Sequence, residues 1–409
     1  MTGIGALHAR RSAASVAFPT LIVLVALHIF GRGRIWVYEW LWAFYQYQFV
    51  TVLLGPVVAG GSAWEGRRVA RAREVAESAG MAVRTVLAAW AGVCGWVLAA
   101  YGAGLVIVVL LVWLAGTPGW PDAASISTVG PAVAVLAGAA AVGIGLGYAL
   151  RSPLVPAVVT VGWFLAVLYF YIAGPSRFVD VGGASGSLLG LAPRPELQAA
   201  QIALYASLAA ASFLALVWGR GLHGMRRAGA VAAAVVLVAP AAWVLEGLGP
   251  DHFRTTDERL VCVGTRPEVC VGPGYASFAE QARAMLIPYL AELEAAGVDV
   301  PQRFEQTAGR GEAAAPLGGL MFALVRYGPA QAARSAPFEI IDRYVPPDCD
   351  IFREPASTAW DGVTDWLIAR VDPQRAFVPP SPRILSEGTL REQRAWVREA
   401  VQTLMTCGT

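Results

Sequence analysis

Cys262, Cys270, Cys349 and Cys407 are the residues of this chain best suited to forming covalent or metal bonds. Four thiols in one segment fit two disulfides in an oxidising compartment. They also fit a tetrahedral metal site, but the spacing contains no Cys-x-x-Cys knuckle and the only histidine nearby is His252. The spacing therefore favours disulfides, and no metal or cofactor is expected. Cys94 stands alone in an apolar run and reads as a packed thiol. The constellations of enzymes are missing. There is no His-Glu-x-x-His, no Gly-x-Ser-x-Gly and no phosphate-binding Gly-x-x-x-x-Gly-Lys. Asp348 and Asp350, on either side of Cys349, mark a solvated loop more often than an acid–base pair. No catalytic residue is assigned, and nothing points to nucleic acid.

A second candidate is electrostatic. Trp64-Glu-Gly-Arg-Arg-Val-Ala-Arg-Ala-Arg-Glu-Val-Ala-Glu carries Glu65, Arg67, Arg68, Arg71, Arg73, Glu74 and Glu77 within 14 residues. The segment is helix-prone, and spacings of three and four let opposite charges pair on its surface. Such a helix serves either as an anchor at anionic headgroups or as a docking element for a protein partner.

The elements that position these residues follow from charge. The chain has no lysine, and seven stretches lack Asp, Glu and Arg: Ser12–Gly31, Trp40–Trp64, Thr85–Pro121, Ala123–Leu150, Ser152–Ser176, Leu197–Gly219 and Ala228–Leu245. Each can cross a hydrocarbon layer, which takes about 20 helical residues. Residues 1–250 hold 15 Arg and 8 acidic residues, whereas 251–409 hold 16 Arg and 21 acidic residues. The near-neutral total of +2 thus averages a basic membrane part and an acidic soluble part. The predicted fold class is an α-helical polytopic membrane protein of about seven transmembrane helices, followed by a small α+β disulfide-containing extracytoplasmic domain.

Orientation follows from arginine. Eleven arginines fall on one set of connections (Arg10, Arg11, Arg67, Arg68, Arg71, Arg73, Arg84, Arg151, Arg220, Arg226, Arg227) and four on the other. The positive-inside rule puts the richer set in the cytoplasm. The N-terminus is then cytoplasmic and the domain after the seventh span is outside, where disulfides persist. A multi-pass plasma-membrane protein is expected. Arg10-Arg11 before an apolar run resembles a signal peptide, but no small-x-small cleavage site follows, so an uncleaved anchor is the reading.

Within the spans, Trp36, Tyr38, Trp40, Trp42, Tyr45 and Tyr47 suit the headgroup level. Gly55-Pro56 is expected to break the second span. Gly143-x-x-x-Gly147 permits close helix packing. Gly174–Glu196 reads as an outer connection that could dip back into the membrane edge, fold as a small lid or run as a plain loop. No acid or arginine lies inside any span, which argues against an ion-driven carrier.

In the soluble part, Arg259–Gly272 reads as a hairpin that sets Cys262 against Cys270. Cys349 then pairs most naturally with Cys407, although four cysteines allow three connectivities. Ser277–Gly297 reads as a helix with Ser277 as N-cap and Glu280 completing a capping box. Thr307–Gly319 reads as a loop. Ser357–Arg370 and Ser386–Thr406 read as helices.

The pattern resembles the permease subunits of type-2 ABC exporters over about residues 1–220. The basic entry Ala6–Ser12 and the Arg-rich run Ala63–Arg73 carry the resemblance, with the tight turn Gly147–Pro153 and the long connection before the sixth span. It implies a six-span domain over 1–220; the seventh helix over 221–250 and the extracytoplasmic domain over 251–409 depart from that family, whose permeases usually stop after six spans. It also implies that Trp64, Glu65, Arg67, Arg68, Arg71, Arg73, Glu74 and Glu77 form the coupling loop to a cytoplasmic ABC ATPase subunit. Two permeases, as homodimer or heterodimer, would enclose an export path in the lipid bilayer. The added domain is similar to tails on actinobacterial membrane proteins. The alternative is a non-transporting membrane receptor or immunity-type protein whose external domain binds a ligand or partner.

Overall fold

The computed structural model describes residues 13–31, 33, 35–71, 82–150, 152–172, 176–179, 182–183, 186–218, 225–249, 251–257, 259–306, 315–346, 348–375 and 382–407. The chain divides into two compact units. One comprises Met1–Ala115, Gly119–Ala184 and Ala192–Arg254; the other comprises Gly116–Pro118, Ser185–Leu191 and Thr255–Thr409.

The first unit is helical: α1 (Ala13–Gly31), α2 (Trp40–Gln48), α3 (Val50–Arg71), α4 (Ala82–Leu114), α5 (Ala123–Ser127), α6 (Val129–Leu150), α7 (Val155–Ile172), α8 (Pro195–Trp218) and α9 (Met225–Gly247). Five stretches among the described residues are long and apolar enough to cross a membrane: Trp40–Arg71, Arg84–Leu114, Ala123–Leu150, Val155–Ile172 and Pro195–Leu214. Ser15–Gly31 and Ala232–Gly247 are shorter apolar helices. These mark a membrane protein.

Side-chain register gives the helix directions. Phe18 meets Trp96, and Val25 lies against Gly104, so α1 and α4 are parallel. His28, at the end of α1, stacks on Phe49, the residue just before α3 begins, so those two are antiparallel. Ala59 and Ala63 of α3 lie against Gly143 and Gly147 of α6, and Tyr205 and Ser212 of α8 lie against Gly138 and Gly145. The helices α3, α6 and α8 are therefore parallel. Trp163 and Thr160 lie against Gly55 and Gly60 in reversed order, so α7 opposes α3. Leu245, near the end of α9, packs with Leu197 and Ala200 at the start of α8. Direction thus reverses at each successive long helix, as repeated crossing of a layer requires.

Two expectations are corrected. Trp36, Trp42, Tyr45 and Tyr47 are buried (2–8% exposed), not half-wet. Protein groups meet their tips: the Tyr47 hydroxyl donates to the Tyr101 carbonyl at 2.6 Å, and Tyr45 sets its edge on Phe253. The second span is not broken at Gly55-Pro56, because α3 runs through Pro56. Its interruption lies at Phe49, where α2 stops. The fourth stretch is interrupted too, at Thr128 between α5 and α6. The two interruptions meet, since the Gln48 amide donates to the Thr128 carbonyl. Of the Gly174–Glu196 loop, Gly182 and Gly183 lie on α2, and the Gly183 N–H donates to the Tyr45 carbonyl at 3.1 Å.

The second unit has a four-stranded sheet in the order β1 (Val261–Val263), β2 (Glu268–Val271), β3 (Arg303–Glu305) and β4 (Ala315–Pro316). β1 and β2 are antiparallel with Cys262 opposite Cys270, and the other two pairings are parallel. Helices α10 (Ala276–Ala295), α11 (Gly318–Tyr327), α12 (Pro329–Asp342), α13 (Ala356–Val371) and α14 (Leu390–Met405) form the remaining core. Disulfides join Cys262 to Cys270 and Cys349 to Cys407. Ser277 does not cap α10, which begins one residue earlier, and Glu280 pairs with Arg283 at 2.9 Å instead. The capping box belongs to α14, where the Thr389 side chain accepts from the Glu392 N–H and the Glu392 carboxylate accepts from the Thr389 N–H. This cap divides the single helix expected over 386–406. Residues 318–342, without an expected element beyond Gly319, form the α11–α12 hairpin around Gly328-Pro329.

Glu339 on α12 caps α11 from outside. Its carboxylate accepts from the Gly319 and Leu320 N–H groups, and its Oε1 occupies the space that a Cβ on Gly319 would fill. Burial, then the neighbouring Asp342 carboxylate, pushes the Glu339 carboxyl up to about 7 against those two hydrogen bonds. A raised carboxyl pKa favours the folded state when protonated. The stabilisation is complete below the unfolded value of about 4.5 and is lost as pH rises through about 7. Hydrogen exchange of α11 and α12 should show this unit losing up to roughly 3 kcal/mol between pH 4.5 and 8. Glu339→Gln keeps an acceptor for the cap and should remove that dependence.

Candidate functional site

The basic segment is not a separate loop helix. Trp64, Glu65, Arg67, Arg68 and Arg71 are the last turns of α3 and continue its apolar part without a break. Arg73, Glu74 and Glu77 lie outside the described residues. Helical spacing puts Trp64, Arg68 and Arg71 on one exposed face, with Arg67 half-buried beside them. Arg68 and Arg71 in the final turn also complement the negative end of the helix dipole.

The opposite face is fixed to two neighbours. A Cβ on Gly66 would overlap the Ile144 carbonyl oxygen, and Cβ atoms on Gly143 and Gly147 would overlap the carbonyls of Ala59 and Ala63. The backbones of α3 and α6 therefore touch along nearly two turns, which only small residues permit. Val69 and Ala70 pack with Ile144 and Tyr148 of α6 and with Val86 and Ala89 of α4. Trp90 extends that cluster. Its indole N–H donates to the Ala137 carbonyl at 3.1 Å, and its ring meets Phe213 edge-on.

Glu65 is the residue whose setting composition does not disclose. The charge-free stretch ends at Trp64, yet the Glu65 side chain is only 1% exposed. Arg68 Nε stands 3.1 Å from Glu65 Oε2 and is itself 45% exposed. An isolated carboxylate in this packing would cost several kcal/mol. The pair removes most of that cost and leaves the outer part of the guanidinium at the surface. Paired spacing at 65 and 68 was a visible signal for the ion pair, and Gly66 beside them was the signal for burial. Glu39, also 6% exposed, ends the chain segment before α2. Acidic groups thus do lie within the packed helices, at their ends.

The cysteines form disulfides as described above. The thiols and Glu268 that cluster around Cys262 and Cys270 are not free to hold a metal, because both sulfurs are bonded to each other. Comparison with known protein families, with curated proteins and with solved structures finds no match.

Proposed function

We propose that the chain is the membrane-spanning permease subunit of an ABC-type exporter, driven by a separate cytoplasmic ATPase subunit. The observation that carries this reading is the last stretch of α3, with Trp64, Arg68 and Arg71 exposed on one face and α4 and α6 fixed to the other. A push on the exposed face moves α3 as a rigid rod. The backbone contacts at Gly66, Gly143 and Gly147 pass that movement to α6, because close-packed helices transmit strain. The chain has no phosphate-binding loop of its own, so the energy must come from another subunit. The positive-inside count puts the arginine face in the cytoplasm, where that subunit would reach it. Two copies, or two related permeases, would enclose the path. The cargo is amphiphilic in this reading, since the spans offer apolar and small polar surface.

The test is co-purification from native membranes. The wild type should bring down an ATPase subunit. A variant with Arg67, Arg68, Arg71 and Arg73 changed to Ala should lose it at least tenfold while remaining equally abundant and correctly oriented. If neither sample contains an ATPase, the exporter reading fails and the receptor reading replaces it.

A further inference from the structure

Phe352 is the most exposed large hydrophobic side chain among the described residues, at 89%. It stands on a rigid loop. Cys349 is tied to Cys407, the Asp350 carboxylate accepts from the Phe352 N–H at 3.1 Å and pairs with Arg353 at 3.0 Å, and the Arg353 N–H donates to the Asp350 carbonyl. An ordered loop that holds an aromatic ring in water has already lost the entropy that a contact would otherwise cost. The segment 348–354 holds Asp348, Asp350 and Glu354 against Arg353, for a net charge of −2. That sign disfavours an anionic membrane surface as the occupant.

The same unit carries a complement. Tyr327, Ala330, Gln331 and Arg334 line an open cavity of about 330 Å³ at the turn between α11 and α12. The Arg326 guanidinium lies 5.7 Å from the centre of the Tyr327 ring. Segment 326–334 has two arginines and no acid, for a net charge of +2. Neither arginine makes an ion pair among the described residues. The volume sits at the foot of the roughly 300–1,000 Å³ range of small-molecule pockets, enough for one aromatic side chain and too little for a large cofactor. Aromatic and arginine side chains are the types that dominate the centres of protein interfaces.

We propose that the Phe352 loop of one copy docks into the Tyr327–Arg334 cavity of a second copy, with Asp348 facing Arg334. A knob and a pocket at different places on one surface close into a pair if a two-fold axis makes the exchange reciprocal, and otherwise build a row. The proposal does not depend on the exporter reading.

The test places the photoreactive amino acid p-benzoylphenylalanine at position 352 of the full-length protein in its native membrane, which keeps an aromatic ring on the loop. Irradiation should give a covalent pair whose bond maps within 327–334. Arg334→Glu alone, or Asp348→Arg alone, should lower its yield at least tenfold, and the two together should restore it. Asp348 is exposed and is separate from the Asp350–Arg353 pair, so its reversal leaves the loop's own contacts in place. A cross-link to lipid, a cross-link outside 327–334, a yield insensitive to the charge changes, or no cross-link would each overturn the proposal. ATPase co-purification, followed in the same membranes, reports separately on the exporter reading.

Discussion

Gly147→Val should leave almost no folded protein in detergent extracts, measured as the monodisperse fraction on size exclusion after graded heating. Even a single Cβ at this position overlaps the Ala63 carbonyl oxygen, and valine adds two further methyls. The obstacle is backbone on a helix already fixed at Gly66 and Gly143, so no side-chain rotation relieves it. Overpacking of ordinary cores costs about 1–3 kcal/mol, and this contact should exceed the upper end. Helix association in lipid lacks the hydrophobic drive that rescues misfits in water, which removes the usual compensation. Gly95→Ala is the control. Nothing lies within 4 Å of the added Cβ there, and the melt should be unchanged or slightly improved.

The second large effect concerns the Cys349–Cys407 bridge. It closes a separation of 58 residues, against 8 for Cys262–Cys270. Constraint of the unfolded chain grows with loop length, which gives about 4 kcal/mol for the long bridge and about 2.5 kcal/mol for the short one. Changing both cysteines of the long bridge to serine should therefore cost amide protection throughout α13 and α14 by hydrogen exchange, while the hairpin double variant keeps most of it. Equal losses in the two variants would show that loop length does not govern these bridges.

How much of this was legible in the sequence varies with the physics behind each element. The apolar helices were, because charge is absent over stretches that match the thickness of a hydrocarbon layer. The interruptions at Phe49 and Thr128 were not. Phe49 has no glycine or proline beside it; Gly130-Pro131 follows Thr128 in the first turn of α6, but the meeting of the two breaks through Gln48 and Thr128 is a tertiary contact that no local signal discloses. Pro56, the stronger local signal, lies inside a continuous helix. In the second unit the hairpin could be read from Cys262, Cys270 and the intervening turn residues. The α11–α12 pair had a readable period, with Ala332, Ala336 and Ile340 buried at spacings of four, but Gly328-Pro329 divides the run into two short helices. As to the candidate site, the residue types at 64–71 were plain. Their division into an exposed arginine face and a buried Glu65 depended on Gly66 approaching α6, a contact between segments far apart in sequence.

The Glu65–Arg68 pair has a consequence for biogenesis. Its members are three residues apart on one helix. The carboxylate is therefore neutralised as soon as α3 itself forms, before α4 or α6 has been synthesised. A membrane-inserting machinery would receive α3 with its buried charge already cancelled, and insertion of this helix need not wait for a later one. Had the partner been an arginine on α4 or α6, the acid would have entered the membrane unpaired, and the order of synthesis would have become a constraint on folding.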